Sequence, residues 1–281
     1  MKKILSYLSG LFALILVVYL ARLWSDTRYQ IGSDPRAVTP SPTSYPALSQ
    51  DEARAQIIDL LQTNGGCRLP CWWGITPGET HWETVHALLS PMLKTDYAED
   101  KLLSYHDPSG STPEKPALPG VEFHLQDSIV QAITVFSVRS NYLSELDIHH
   151  IFQTYGKPDQ IYLRAFPFTS RSLVQIFLHY PRQEMAIEYR FDTEAADQKI
   201  RVCNLDQPAE ADFHLWEYDR PMVQDFYIIA RNALWHPSEY KILPLDEASS
   251  WTVDSFYESF QLPEMHTACI ETVTVLWEEN R

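Results

Sequence analysis

The chain has 281 residues, 45% of them hydrophobic, enough for a sizeable core in one large or two small domains. Its formal charge is minus 15, and because residues 1–30 carry four basic and one acidic side chain, the remainder holds minus 18. Such a field repels a duplex or an anionic bilayer surface, so nucleic acid is not expected as a partner.

Lys2 and Lys3 precede an apolar run over residues 4–24 that is uncharged up to Arg22. At about 1.5 Å rise per residue that run approaches the roughly 30 Å hydrocarbon thickness. It predicts a transmembrane helix over 4–24 behind a short cytoplasmic tail, residues 1–3, with Tyr19 and Trp24 at the interface. The same pattern fits a secretory signal peptide, whose cleavage would release the chain, but bulky and charged residues follow Leu20 where a small-x-small triplet is needed.

Residues 25–48 read as a spacer: Pro35, Pro40, Pro42 and Pro46 stand among Ser and Thr, stiff and poor in side chains to bury. A first helix is predicted from Ser49, with Glu52 completing a capping box and Asn64-Gly65-Gly66 as the stop. Next comes Cys67-Arg-Leu-Pro-Cys71-Trp72-Trp73, and a Thr76-Pro77-Gly78 turn leads to a second helix over 79–90. Residues 104–120, with four prolines, read as a long loop.

From Gly120 the period becomes that of strands, and residues 121–138 predict a β-hairpin turning at Asp127-Ser128. A helix over 143–153 follows, stopped by Gly156 and Pro158, then strands over 160–166, 172–180 and 184–191. The middle one is apolar on both faces, which predicts a central or doubly covered strand. The C-terminal part predicts a short strand ending near Cys203, a helix over 222–234, a helix over 253–260 and a final strand over 270–277.

The fold class expected is α+β, with helices packed on antiparallel sheet. Helix before sheet occurs twice, suggesting a tandem α-then-β repeat: a first unit over 49–138, a second over 143–191, and a C-terminal α+β extension over 192–281. Gly74-Ile75-Thr76-Pro77-Gly78-Glu79-Thr80 leading to Val85 and Leu89, with Leu146-Asp147-Ile148 leading to Tyr155-Gly156-Lys157-Pro158, resembles an opening motif of two groups. These are the small lipoproteins of the outer-membrane β-barrel assembly machinery and the β-lactamase inhibitor proteins. The resemblance covers residues 74–191 and departs at Ser90-Pro91, where Gly-x-Pro belongs, and at the second helix, which lacks Gly-x-Thr. It implies a short antiparallel sheet and protein binding outside the cytoplasm. The string Cys67-x-x-x-Cys71-Trp72-Trp73-Gly74-Ile75-x-Pro77-Gly78 also resembles one found in membrane-anchored proteins of environmental bacteria, which implies no activity.

The four cysteines, Cys67, Cys71, Cys203 and Cys269, permit three pairings or free buried thiols. Pairing Cys67 with Cys71 and Cys203 with Cys269 suits an oxidising compartment and favours an extracytoplasmic domain. Three residues between Cys67 and Cys71 depart from the thioredoxin spacing, and no second close pair completes a zinc set. No metal ligand, cofactor or catalytic residue is assigned: His149-His150 cannot share one ion on a helix, and the serine-hydrolase, phosphate-loop and dinucleotide patterns are missing. His124 and His179 could face one another across strands. Trp72 and Trp73 are the candidate binding residues, one ring serving as an exposed anchor for a partner; otherwise both rings cover the first helix.

The expected function is a non-catalytic protein-binding or assembly module outside the cytoplasm, held to the membrane by its N-terminal helix. A membrane-tethered hydrolase or carbohydrate-active protein, its site built from scattered acidic, His and Trp residues, is the alternative.

Overall fold

A computed structural model describes residues 48–99, 102–106, 118–138, 147–167, 172–193, 195–196, 198–203, 205, 208–216, 241–261 and 269–277. All belong to the unit Tyr45–Arg281. The expected membrane helix over 4–24, most of the spacer and the helix expected over 222–234 lie outside the described residues. Among the described residues, no helix is long and apolar enough to cross a membrane.

The fold is α+β. Strands β1 (Lys94–Glu99), β2 (Leu102–His106), β3 (Gly120–Gln126), β4 (Ile129–Val138), β5 (Gln160–Pro167), β6 (Ser172–Tyr180) and β7 (Met185–Thr193) precede β8 (Ala195–Ala196) and β9 (Lys199–Val202). The series ends with β10 (Glu210–Trp216), β11 (Leu243–Pro244) and β12 (Ile270–Val273). Nine of these form one antiparallel sheet in the order β1-β2-β3-β4-β10-β7-β6-β5-β11, and the other three form a small sheet, β12-β9-β8.

Helices α1 (Gln50–Thr63), α2 (Trp82–Leu89), α3 (Ile148–Tyr155), α4 (Leu245–Ala248) and α5 (Val253–Ser259) all send their buried side chains to one face of the large sheet. Ile57, Leu61, Val85, Leu89, Ile151 and Phe256 share one apolar cluster with the odd-numbered positions of β3, β5, β7 and β10, such as Phe123, Leu163, Ile187 and Phe213. In α1 the capping box is present as expected, with Glu52 bonded to the Ser49 backbone and hydroxyl. Asp147 caps α3 by accepting from the His150 N–H at 2.7 Å. Thr252 and Ser255 form a further box at α5, which turns Phe256, Tyr257 and Phe260 onto Phe152.

Several boundaries differ from expectation. The second helix begins at Trp82 rather than 79, because residues 77–79 form a turn, with Thr80 N–H donating to Thr76 C=O at 3.1 Å, and His81 is extended and bridged to Ile129. The segment is tied to the start of β4, Gly78 N–H donating to Val130 C=O at 2.7 Å and Trp82 N–H to Ser128 C=O at 3.0 Å. Residues 104–106 belong to β2, and β1 with β2 was not expected at all. The final strand stops at Val273, where a helical turn over Thr274–Leu276 bends the chain back and ties Thr274 to Gln198. Strand β10, central in the sheet, went unread within the C-terminal extension. The β3–β4 hairpin turns where expected, with Asp127 and Ser128 both at positive φ, the backbone form of a tight two-residue hairpin.

Candidate functional site

Because side chains alternate across a strand, the even-numbered positions of β3, β5, β7 and β10 share the second face of the large sheet with Ala132, Thr134 and Phe136 of β4, whose end residues Val130 and Val138 lie beyond register shifts and join the helix-side core. The odd-numbered positions of β6, whose register opposes them, lie on it too. The helices pack on the other face. Register places Gln175, Arg190 and Glu210 in one row across β6, β7 and β10, and Phe177, Glu188 and Asp212 in the next. His179, Ala186, His214, Thr134 and Glu122 form a third row, running from β6 across to β3.

Arg190 is the hub. Its Nε donates to Glu188 Oε1 at 2.8 Å, Nη1 to Glu210 Oε2 at 3.4 Å, and Nη2 to Asp212 Oδ2. Gln175 Nε2 donates to the same Glu188 Oε1. Glu188 and Asp212 are wholly buried. Burial alone would lower the Arg190 pKa, but the three carboxylates more than reverse that and hold the guanidinium charged.

His214 is also buried, and its pKa is pushed down to about 3, first by burial and then by the charges of Arg190 and His124. Burial lowers His179 as well, with Asp159 opposing. Its ring meets that of Trp216 at 6.0 Å, and the two rings close over Ala186, on the strand between them. Trp216, Phe177, Tyr162, Ala132 and Ala186 make a second, smaller apolar cluster on this face, with Ile242 packed against it.

Toward β3 the same face opens. Glu122, His124 and Phe136 are partly exposed, and burial raises the Glu122 pKa. Gly120 permits this arrangement: the Phe136 ring lies across it, and a Cβ there would stand 2.0 Å from the ring. His124 and His179 share the face but are separated by β4, β10 and β7, so they do not meet. Among the described residues, no group of three or more His, Cys, Asp or Glu side chains is arranged to hold a metal ion.

The candidate binding pair lies elsewhere. Trp72 and Trp73 are 1% and 3% exposed, so neither indole is available as an exposed anchor. Their rings stack at 5.4 Å, and Trp72 stacks on Phe213 of β10 at 5.9 Å, so the pair fills the core above the middle of the sheet. The duller expectation was the nearer one, since the rings reach both the first helix's cluster and the sheet. Cysteine pairing follows the favoured scheme: Cys67 is bonded to Cys71 and Cys203 to Cys269.

One side chain sets the path of the Trp-bearing loop. Asn64, at positive φ beyond α1, donates from Nδ2 to the carbonyls of Cys67 and Cys71, both at 2.9 Å, and accepts the Trp73 N–H at 3.0 Å. Asn tolerates that backbone conformation, and Ala would lose the three bonds and gain nothing. Asn64→Ala is expected to lower unfolding free energy by about 3 kcal/mol, measured by urea titration, because two carbonyls and an amide lose their partner. A loss under about 1 kcal/mol would mean that the disulfide alone holds the loop.

The sequence reading missed the whole charged row. Its signal was present: Gln175, Glu188 and Arg190 interrupt otherwise apolar strands, and the short turn after Tyr180 fixes a register that sets Gln175 against Arg190. Compared with models of known families, with curated proteins and with solved structures, the chain matches none.

Proposed function

We propose that the protein is a membrane-anchored, extracytoplasmic module that binds another protein without catalysing a reaction, using the open part of the second sheet face. The observation that carries this reading is the strip Glu122, His124 and Phe136, a partly exposed acidic and aromatic surface on the side that the described helices leave alone. With minus 18 on the chain beyond residue 30, the matching partner surface is basic. Two disulfides support an oxidising location. The apolar segment over 4–24 supplies the anchor.

The sheet order supports the finer fold as well. α2 precedes the run β1-β2-β3-β4, α3 precedes β5-β6-β7, and the two runs meet through β10 in mirrored order. On this reading units 49–138 and 143–191 are copies of one α-then-β module, and β10, from the extension over 192–281, is the second module's last strand. That adds to the resemblance to the lipoprotein and inhibitor superfamily, whose members bind proteins. Against the hydrolase reading, the two buried carboxylates that converge, Glu188 and Asp212, converge on Arg190, which engages an oxygen of each.

The test is site-specific photo-crosslinking of the full chain in cells of its native host. A crosslinker at His124 should give a discrete protein adduct that a crosslinker at exposed Glu258, on α5, does not. Glu122→Lys should reduce the adduct several-fold. Equal yields at both positions, or no adduct at His124, would rule the strip out.

A further inference from the structure

Much of the second face is buried, and the described helices do not bury it. All five of them join the cluster on the opposite face, as do Ile200, Val202 and Ile270 of the small sheet. To the apolar cluster of the second face, built on Phe177, Ala186 and Trp216, the described residues beyond the large sheet's own strands add Ile242 alone. A sheet face that keeps aromatic side chains from water needs a second layer. Exposure along the strands shows where that layer lies. On β7 the second-face positions Ala186 and Glu188 are 0% exposed, the Arg190 side chain is 17% exposed, and Asp192 is exposed. On β10, Trp216, His214 and Asp212 are buried, and the Glu210 side chain is 31% exposed. In both strands the covered end is the one at which β10 finishes, and Tyr162 and Arg164 carry the covered area across to β5.

Five stretches longer than four residues lie outside the described residues: 1–47, 107–117, 139–146, 217–240 and 262–268. Four of them are attached on the helix side. Residues 1–47 lead to Leu48, 107–117 to Leu118, 139–146 run from Val138 to the start of α3, and 262–268 from α5 to Ile270, all parts of the helix-side cluster. The stretch 217–240 instead leaves from Trp216 and returns at Ile242, both on the second face. Its length fits the crossing. From β10 over β7, β6 and β5 to β11 is four strand spacings, about 19 Å. The helix expected over 222–234 would be about 20 Å long. Its sequence fits too: Met222, Phe226, Ile229 and Ala233 recur at helical spacing with Ala230 and Leu234 beside them, while Gln224, Arg231 and Asn232 lie away from that stripe and Ile228 departs from it.

We propose that the second face between β10 and β11 is the docking surface for residues 217–240 of the same chain, with the apolar stripe of 222–234 laid on Phe177, Ala186 and Trp216. The sheet is then a middle layer, with the described helices on one side and one amphipathic segment on the other. The docked area lies beside the Glu122 strip, across β10 and β4, and does not depend on the partner-binding reading of that strip.

The experiment is photo-crosslinking of the purified, full-length, oxidised chain in detergent at neutral pH, with benzophenylalanine placed at Phe226 or, as the control, at Gln224, and the products mapped by peptide mass. The probe at Phe226 is expected to crosslink within its own chain to residues 172–193 or 210–216, and the probe at Gln224 to do so several-fold less. Carbethoxylation of His214 by diethylpyrocarbonate gives a second readout. In the wild-type chain His214 should be protected, and Phe226→Asp, which sets a charge in the apolar stripe, should speed its modification by about tenfold or more. Should that variant not fold, the crosslink at Phe226 decides alone, because the probe keeps an aromatic ring there. A crosslink between two chains that grows with protein concentration would overturn the proposal and assign the face to a second copy. Crosslinks from Phe226 only to residues 1–47 or to the described helices, equal yields at both positions, or unchanged His214 protection in a folded Phe226→Asp would also overturn it.

Discussion

Arg190→Met is expected to lower unfolding free energy by about 3–5 kcal/mol, enough to threaten folding altogether. The size comes from what is left behind. Glu188 and Asp212 are wholly buried on neighbouring strands, directly opposite in register, and Arg190 is the cation bonded to both. Methionine fills much the same volume but leaves two like charges facing one another out of water. The loss is therefore electrostatic rather than a cavity effect. Combining Arg190→Met with Glu188→Gln and Asp212→Asn should recover at least half of it, since a neutral cluster of similar shape needs no counter-charge. Urea titrations of the single and triple variants check this. A triple variant less stable than Arg190→Met would show that the carboxylates contribute by some route other than their pairing with Arg190.

The second large effect is on acid stability, through His214. In the native protein its pKa lies at about 3, whereas an unfolded histidine titrates near 6.5. Above the unfolded value both states are neutral and His214 adds no pH dependence. Below it the unfolded chain takes up a proton that the native chain refuses, so stability falls as pH drops, by about 1.4 kcal/mol per unit, until the native pKa is reached. At pH 5 that amounts to about 2 kcal/mol. Burial is the largest cause of the shift, and the charges of Arg190 in β7 and His124 in β3 add to it. Burial of His179 pushes in the same direction. His214→Phe removes the proton acceptor, so its stability should drop by about 2 kcal/mol less than wild type between pH 7.5 and pH 5, with contributions from other groups cancelling in the comparison. If the two chains lose equal stability over that interval, His214 is protonated in the native state and the buried ring is not held neutral.

How much of this could be read from the sequence varied from element to element, for physical reasons. Local signals were sound: Ser49 with Glu52 starts α1, Asn64 ends it, and Asp127-Ser128 turns the hairpin, because each depends on residues a few positions apart. Both disulfides were legible because Cys67 and Cys71 are close in the chain, which leaves Cys203 and Cys269 for each other. What failed needed long-range information. β10 carries Asp212 and His214 among Ala211, Phe213 and Leu215, and without Arg190 beside it a charged side chain in mid-strand looks like a loop residue. The same holds for the Trp pair. Adjacent indoles in an extended segment point to opposite sides, which favours exposing one. At Trp73, however, a positive φ, with its N–H fixed by Asn64, turns the chain so that both rings enter the core. The open strip was invisible for a different reason. Glu122 and His124 alternate with Val121 and Phe123 as on any half-buried strand, and nothing local says which polar faces the chain later covers.

The position of β10 bears on how the chain must be made. As the polypeptide emerges from its N-terminus, β4 is complete at Val138, yet the strand that closes its far side does not exist until Glu210–Trp216 has appeared. For more than 70 residues of further synthesis, one long margin of the early half displays unpaired amides and carbonyls, a template for any extended segment nearby. A chain built this way gains from being delivered promptly and kept apart from its siblings until the late strand arrives. Fixing the early end to a surface does that, because it limits which neighbours the open margin can meet.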